Sequence, residues 1–127
     1  DALVARASAA GFDTGMLIAT ERRKASALVL LRACRLARVP ITIPAAVVAE
    51  WWRGAHPGLL ELGELEALTP EVAKRAGELL ARTGGSNAVD ALVVASAAQR
   101  GDVIATVDAS DLRELAKLVD GVDVEVV

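Results

Sequence analysis

Four acidic residues of this 127-residue chain are spaced so that they could act together: Asp13, Glu50, Asp90 and Asp108. Three of them lie at or just beyond a predicted strand end or helix start, and Glu50 lies about two turns into a helix. Carboxylates that converge at one end of a sheet raise one another's pKa unless a cation neutralises them. Mg²⁺ and Mn²⁺ prefer oxygen ligands, and such ions can activate water against a phosphodiester. The four acids therefore predict a metal-dependent hydrolase.

Each acid also has an ordinary structural explanation. Asp13 could cap a turn, and Glu50 could be a solvated helix residue. Asp90 follows an asparagine by three residues and could close a capping box. Asp108 and Asp111 bracket a predicted helix start, where acids interact favourably with the helix dipole. The functional interpretation rests on the conjunction of all of them.

The elements that would position these acids alternate between strand and helix. Strands are predicted at residues 9–13, 41–43, 65–68, 103–106 and 122–127, and helices at 24–38, 44–54, 70–83, 86–101 and 110–118. The strands are apolar runs rather than alternating patterns, which indicates a parallel sheet covered on both faces. Ligands bind at the carboxyl ends of the strands in such sheets. The expected fold class is therefore α/β, with the acids at one edge of the sheet.

Two helix starts are strongly marked. Thr69-Pro70-Glu71 combines a hydroxyl cap, a proline at the first position and an acid in the first turn. Ser86-Asn87 opens a helix that is apolar almost all round and is expected to be buried on most sides. Residues 1–8 are predicted to be a poorly specified leader, followed by a single domain over residues 9–127.

Hydrophobic residues make up 54% of the chain. No uncharged apolar stretch approaches the ~18 residues that a membrane span needs, and the sequence starts without a basic leader. A cytoplasmic protein without a membrane partner is therefore expected.

The chain has one cysteine, Cys34, and one histidine, His56, so a cysteine zinc site is excluded. Ser-His-Asp chemistry is not expected, because it would depend entirely on His56. His56, beside a proline, is expected to be a loop residue rather than a ligand.

Any binding of nucleic acid must use a local basic patch, because the net charge is −3. Arg22, Arg23 and Lys24 form a short basic run. Three further arginines recur on one face of the following helix: Arg32, Arg35 and Arg38. These cations could contact RNA phosphates, or they could form an ordinary solvated face; the sequence favours neither.

Four segments together resemble the PIN domain, and within it the VapC toxins of bacterial toxin–antitoxin systems. They are FDTGMLI at 12–18, VVAEWWRG at 47–54, VDALVVA at 89–95 and TVDASDL at 106–112. Their order and spacing match the family from about residue 9 to the end. The resemblance implies a PIN-like three-layer fold with a central parallel sheet flanked by helices. It also implies ribonuclease activity dependent on Mg²⁺ or Mn²⁺ (tRNA being one candidate RNA), a cognate VapB-type antitoxin and homodimers.

The resemblance also assigns roles to individual positions. The acids of the family fall on Asp13, Glu50, Asp90 and Asp108, as catalytic residues and metal ligands. Asp111 matches a frequent fifth acid and is counted with the metal ligands. Thr14 and Thr106 match small hydroxyl residues that would orient the carboxylates.

Two positions depart from the pattern of the family. The segment before Asp13 is less β-branched than usual, which predicts a weak or irregular first strand. Asn87 stands where relatives often carry another acid, and it could lower metal affinity or simply cap a helix.

Three alternatives remain open. A PIN nuclease of RNA maturation or decay would have no antitoxin, and a neighbouring antitoxin gene that relieves growth arrest would separate the two. A receiver-like domain would want a lysine at the end of its last strand, and residues 122–127 supply none. A non-catalytic binding module is disfavoured by the intact set of four acids.

Overall fold

Short strands form one parallel sheet in the computed structural model, which describes residues 2–54, 57–84 and 87–127. Within these residues the strands are β1 (Ala10–Phe12), β2 (Ile41–Pro44), β3 (Glu64–Glu66), β4 (Val103–Thr106) and β5 (Asp123–Val126). Their order across the sheet is β3-β2-β1-β4-β5, with every neighbouring pair parallel. All residues of β1, β2 and β4 are buried. The predicted parallel sheet covered on both faces is thus confirmed.

Helices connect the strands and cover the sheet. They are α1 (Ala2–Arg6), α2 (Thr14–Glu21), α3 (Ala25–Ala37), α4 (Ala45–Trp51), α5 (Pro70–Thr83), α6 (Ala88–Ala98) and α7 (Ser110–Ala116), with a 3-10 helix over Pro57–Leu62. The connections from β1 to β3 step towards one edge of the sheet, and those from β3 to β5 step towards the other. Because such crossovers are right-handed, the two sets of helices cover opposite faces.

Several helices and strands are shorter than predicted. Pro44 is the last residue of β2 rather than the first of α4, since its ψ of 145° is extended. The helix after it ends at Trp51 instead of residue 54, and α7 ends at Ala116 instead of residue 118. Pairing in the sheet sets the other limits: β3 is residues 64–66 because these are the ones that pair with β2.

A short helix occupies most of the predicted leader. Residues 2–6 form α1, and the side chain of Leu3 is fully buried. A five-residue helix has too little periodicity to be recognised in sequence, and its burial against α3 stabilises it instead. Two other predictions concern residues outside the described ones: the loop position of His56 and the part of Ser86 in starting α6.

The helix signals are confirmed in the described residues. Thr69 caps α5 by accepting a hydrogen bond from the backbone N–H of Val72 at 3.2 Å. Six residues of α6 are buried, as its apolar surface predicts. Cys34 is buried in α3.

In the described part of the chain, no helix is long and apolar enough to span a bilayer.

A polar network holds the C-terminal end of α6 against the sheet. Asp102, just before β4, is fully buried, and its carboxylate accepts hydrogen bonds from Nε and Nη2 of Arg100 at 2.9–3.2 Å. Arg100 also forms an ion pair with Glu66 of β3 and donates to Ser96 Oγ at 2.9 Å. The network therefore links the edge strand β3, α6 and the start of β4.

Arg100→Met is expected to destabilise the protein by about 3 kcal/mol, because it leaves the buried Asp102 carboxylate without its cation. The methionine preserves most of the apolar stem. Urea unfolding would measure the loss. The matched control is Lys117→Met, whose ion pair with Glu114 is exposed at both ends and should cost less than about 0.5 kcal/mol. Equal losses in the two variants would contradict the assignment.

Candidate active site

The predicted acids line one cleft at the carboxyl edge of the sheet. The cleft, of about 570 Å³, is lined by all five: Asp13, Glu50, Asp90, Asp108 and Asp111. Asp13 follows β1 and Asp108 follows β4, the two strands between which the chain reverses its direction across the sheet. Ligands bind at this switch point in open α/β sheets. Among the described residues, no lysine or arginine lines the cleft.

Asp13 is the most constrained of the five acids. Its side chain is buried, with 7% exposed. One carboxylate oxygen accepts from the backbone N–H of Met16 at 2.8 Å, and the other accepts from Thr106 Oγ1 at 2.5 Å. Burial raises the pKa of Asp13 and the charge of Glu50 adds to this, whereas the two hydrogen bonds lower it. Asp13 is therefore both the N-cap of α2 and a member of the acidic cleft.

Thr106 connects Asp13 to the loop that carries Asp108. Its hydroxyl donates to Asp13 and accepts from the backbone N–H of Asp108 at 3.2 Å. The carboxylate of Asp108 accepts in turn from Ser110, from the hydroxyl at 3.1 Å and the backbone N–H at 3.3 Å. One buried hydroxyl thus fixes the spacing between the ends of β1 and β4.

Asp90 lies at the centre of the electrostatic repulsion. It stands in the first turn of α6 and is half-buried. Burial raises its pKa to about 6, and the charges of Asp13, Asp111, Glu50 and Asp108 add to the shift, in that order. Because all four act on one carboxyl group, the five acids belong to a single electrostatic cluster.

Glu50 and Asp111 reach the cleft from its rim. Glu50 lies in the last turn of α4, which packs against α2 and α6. Asp111 lies in the first turn of α7. Both are exposed to solvent, so exposure alone does not separate a residue of the cleft from an ordinary surface acid.

The donor set of the cleft suits a hard cation. The five acids offer only oxygen, and their mutual repulsion favours a bound positive charge. In the described ranges, no three acidic, histidine or cysteine side chains lie close enough to enclose one ion. The carboxylates therefore share a cleft without forming a closed ligand sphere. Mg²⁺ usually retains several waters and binds one or two carboxylates directly, so the residues fit such an ion.

Thr14 also lines the cleft. Its hydroxyl oxygen is buried and has no hydrogen-bond partner in the part of the chain that the structure describes. A buried hydroxyl without a partner is costly. Thr14 therefore differs from Thr106, whose hydroxyl is fully engaged with the protein.

The departures from the expected pattern have structural reasons. The predicted weak strand β1 has only three residues, all of them buried. Asn87 caps α6, since its side-chain oxygen accepts from the backbone N–H groups of Val89 at 2.7 Å and Asp90 at 3.2 Å. Its side chain therefore stabilises the helix start that carries Asp90.

The basic residues divide between the two edges of the sheet. Lys24 lies at the carboxyl edge, because its Nζ donates to the backbone oxygen of Val127, which follows β5. Arg22 and Arg23 are exposed beside it. Arg38 lies at the opposite edge, two residues before Pro40, which pairs with the first residue of β1. The structure thus places the run 22–24, and not the end of α3, on the side of the cleft.

Two further residues shape the carboxyl edge of the sheet and were not predicted from the sequence. Ser110 binds Asp108 through both its backbone and its hydroxyl, and the signal for it was an acid two residues before a serine at a helix start. Gly15 allows a close approach, because a Cβ added there would lie 2.8 Å from Cγ2 of Val107. No local pattern indicated that contact, which joins residues 92 positions apart.

Comparisons with known proteins agree with this architecture. Residues 12–118 match the family model of the PIN domain. The fold is similar to a toxin–antitoxin complex from Klebsiella pneumoniae, with a TM-score of 0.71, 21% identity, and 90% of this chain and 95% of that chain covered. For DNA-bound VapBC from Salmonella typhimurium the TM-score is 0.71 and the identity 20%, with 92% of this chain and 96% of that chain covered. For VapBC2 from Rickettsia felis, bound to a promoter DNA fragment, the TM-score is 0.70 and the identity 16%, with 93% of this chain and 98% of that chain covered. No curated protein matches the chain.

We expect Asp90→Asn to stabilise the metal-free protein at neutral pH. The pKa of Asp90 rises from 3.8 to about 6 on folding, so the folded state binds its proton more tightly than the unfolded state. Wild-type stability therefore falls as the pH rises through this interval, and the asparagine removes that loss. Urea unfolding in EDTA across this range would show the difference.

The difference between the two proteins should disappear below the unfolded value of 3.8, where the carboxyl group is protonated in both states. Asp120→Asn is the control, since Asp120 is an exposed acid outside the cleft. Identical wild-type and Asp90→Asn stability at neutral pH would mean that burial and the neighbouring charges do not raise the pKa of Asp90.

Proposed function

We propose that this chain, which belongs to the PIN domain family, is a metal-dependent endoribonuclease and the toxin of a VapBC-type pair. Membership of this family of nucleases supports a hydrolase. The observation that carries the proposal is that five carboxylates from four separate parts of the chain line one cleft. Such a cluster is costly in a protein without a cationic ligand.

Binding of the metal is assigned to the five acids. Asp13 would contribute the most rigid ligand, because two hydrogen bonds already fix its carboxylate. Glu50, Asp90, Asp108 and Asp111 would complete the negative field, directly or through water. When bound, Mg²⁺ or Mn²⁺ would neutralise these charges and polarise the phosphodiester and the attacking water.

The two threonines would act on the geometry of the site. Thr106 holds Asp13 by a short hydrogen bond in a buried position, which would orient that carboxylate and oppose the rise of its pKa caused by burial. Thr14 lines the cleft and its hydroxyl has no partner among the described residues, so it remains available to orient a carboxylate. Both side chains would thus support the reaction without taking a proton.

The proposed partner is a VapB-type antitoxin. The solved complexes to which the chain is similar are toxin–antitoxin assemblies. In this chain, the acidic cleft offers five carboxylates and, in its described lining, no cation. A basic side chain of a partner would fit the cleft and displace the metal, which would silence the nuclease. A small neighbouring gene whose product relieves growth arrest would support this pairing.

Total cellular RNA should be cleaved by the purified protein with Mg²⁺ and left intact in EDTA. Asp90→Asn should lower the rate by roughly 100-fold or more, since loss of a ligand exceeds the 10–100-fold typical of residues that only orient ligands. Gel electrophoresis of the RNA would measure it. Cleavage in EDTA, or full activity of the variant, would contradict the mechanism.

A matched pair of substitutions tests the role of Thr106 within the same assay. Thr106→Val removes the hydroxyl that binds Asp13 while keeping the shape of the side chain, and should cost about 10–100-fold in activity. Thr106→Ser keeps the hydroxyl and should retain most of the activity. Equal losses in the two variants would show that the methyl group, and not the hydrogen bond, matters.

Binding of RNA is assigned to Arg22, Arg23 and Lys24, the exposed cations on the side of the cleft. Replacing all three with alanine should weaken binding of single-stranded RNA and reduce the log–log salt slope by about 2, at roughly 0.7 for each phosphate contact. Fluorescence anisotropy in EDTA at several salt concentrations would show both changes.

The control for that experiment replaces Arg32, Arg35 and Arg38 with alanine, which changes the net charge by the same amount. Arg32 and Arg35 lie on α3, and Arg38 follows its last residue at the opposite edge of the sheet. The salt slope should therefore change little. If the two triple variants behave alike, binding depends on net charge and not on the run 22–24.

A further inference from the structure

A second pocket lies beside the acidic cleft and shares a wall with it. It has a volume of about 730 Å³ and is lined by Gly15, Ile18, Ala19, Arg22, Lys24 and Val107. Gly15 and Val107 line the acidic cleft as well. A group bound in this pocket would therefore be an immediate neighbour of a group bound among the carboxylates.

The contact between Gly15 and Val107 makes the shared wall thin. The first turn of α2 approaches the loop after β4 so closely that a Cβ on Gly15 would lie 2.8 Å from Cγ2 of Val107. Val107 remains 39% exposed although it is apolar and sits between Thr106 and Asp108. Val107 therefore presents apolar surface at the wall that the pocket and the cleft share.

The lining of the pocket combines apolar and cationic side chains. Ile18, Ala19 and Val107 supply the apolar part. Arg22 and Lys24 line the same pocket and are exposed cations. The backbone turn between α2 and α3 brings these cations close together, with the N–H of Lys24 bonded to the carbonyl of Ala19 at 2.9 Å. Apolar surface beside positive charge complements a flat base linked to a phosphate.

We infer that this pocket is a nucleotide subsite for the RNA strand, in which a base packs on Ile18 and Val107 and its phosphate contacts Arg22 and Lys24. The inference rests on the proposed nuclease function, because the shared wall would place the adjoining phosphodiester in the acidic cleft. The pocket would hold the nucleotide next to the cleaved bond. The acids cannot do this themselves, because their charges repel the phosphates.

Charge complementarity selects a nucleotide over a protein segment as the occupant. The two cations line this pocket and not the cleft, which five carboxylates line. A polyanion that extends from the cleft therefore meets positive charge in the neighbouring pocket. A partner protein held by an apolar contact would gain nothing from that separation.

Free nucleotides test the subsite without any cleavage. We would titrate AMP, CMP, GMP and UMP, each against ribose 5-phosphate, into the protein in EDTA and follow the backbone amides by NMR. At least one nucleotide should bind about five- to tenfold more tightly than ribose 5-phosphate, from apolar burial of the base. The shifted amides should include those of Ile18, Ala19 and Val107.

Two substitutions separate the base from the phosphate. Val107→Ser should remove the difference in affinity between the nucleotide and ribose 5-phosphate. If this variant disturbs the loop, Ile18→Ser should give the same result. Arg22→Ala should weaken both ligands to a similar extent. Leu36→Ser, at an apolar side chain 76% exposed on α3, is the matched control and should change neither.

Three results would overturn the inference: equal binding of ribose 5-phosphate and all four nucleotides, amide shifts confined to other surfaces, or an unchanged advantage in Val107→Ser. Protection of these amides by a co-expressed protein, with no nucleotide binding, would assign the pocket to a protein partner instead. Because the readout is binding in EDTA, a failure here is distinct from an absence of RNA cleavage, which would overturn the nuclease proposal.

Discussion

The burial of one carboxylate, that of Asp13, is the constraint on which this edge of the molecule depends. A buried acid is tolerated only when hydrogen bonds satisfy its oxygens, and here the partners come from both flanking elements. Met16 binds it through the backbone of α2, and Thr106 binds it from the end of β4. The same two bonds therefore begin a helix, join two strand ends and fix the position of a charged group.

The remaining acids add repulsion that the fold must withstand. Asp90 is held in place by its helix, whose start is capped by Asn87 and whose far end is tied down through Arg100. An ion-paired network at the last turn of α6 thus accompanies the repulsion at its first turn. A protein organised in this way can fold with an electrostatically unfavourable cleft, because interactions elsewhere on the same helix hold it in place.

Much of this arrangement could be predicted from the sequence, because its signals are local. The cap at Thr69, the apolar α6 and the runs that became β2 and β4 each depend on neighbouring residues, and the acids follow from where those elements end. The contact of Gly15 with Val107 and the network around Asp102 could not be predicted, since they join distant segments. Helix α1 also escaped prediction, because a five-residue helix is stabilised by the burial of Leu3 rather than by its own pattern.

Helix α6 has a consequence for how the protein responds to its ligand. It is about 16 Å long, with its first turn in the negative cleft and its last turn beside a salt-bridged anchor. Local opening should therefore be uneven: amides of the first turn exchange with solvent through fluctuations that the anchor does not suppress. Occupation of the cleft would slow exchange there and leave the last turn unchanged, so that ligand binding appears as a gradient of rigidity along one helix.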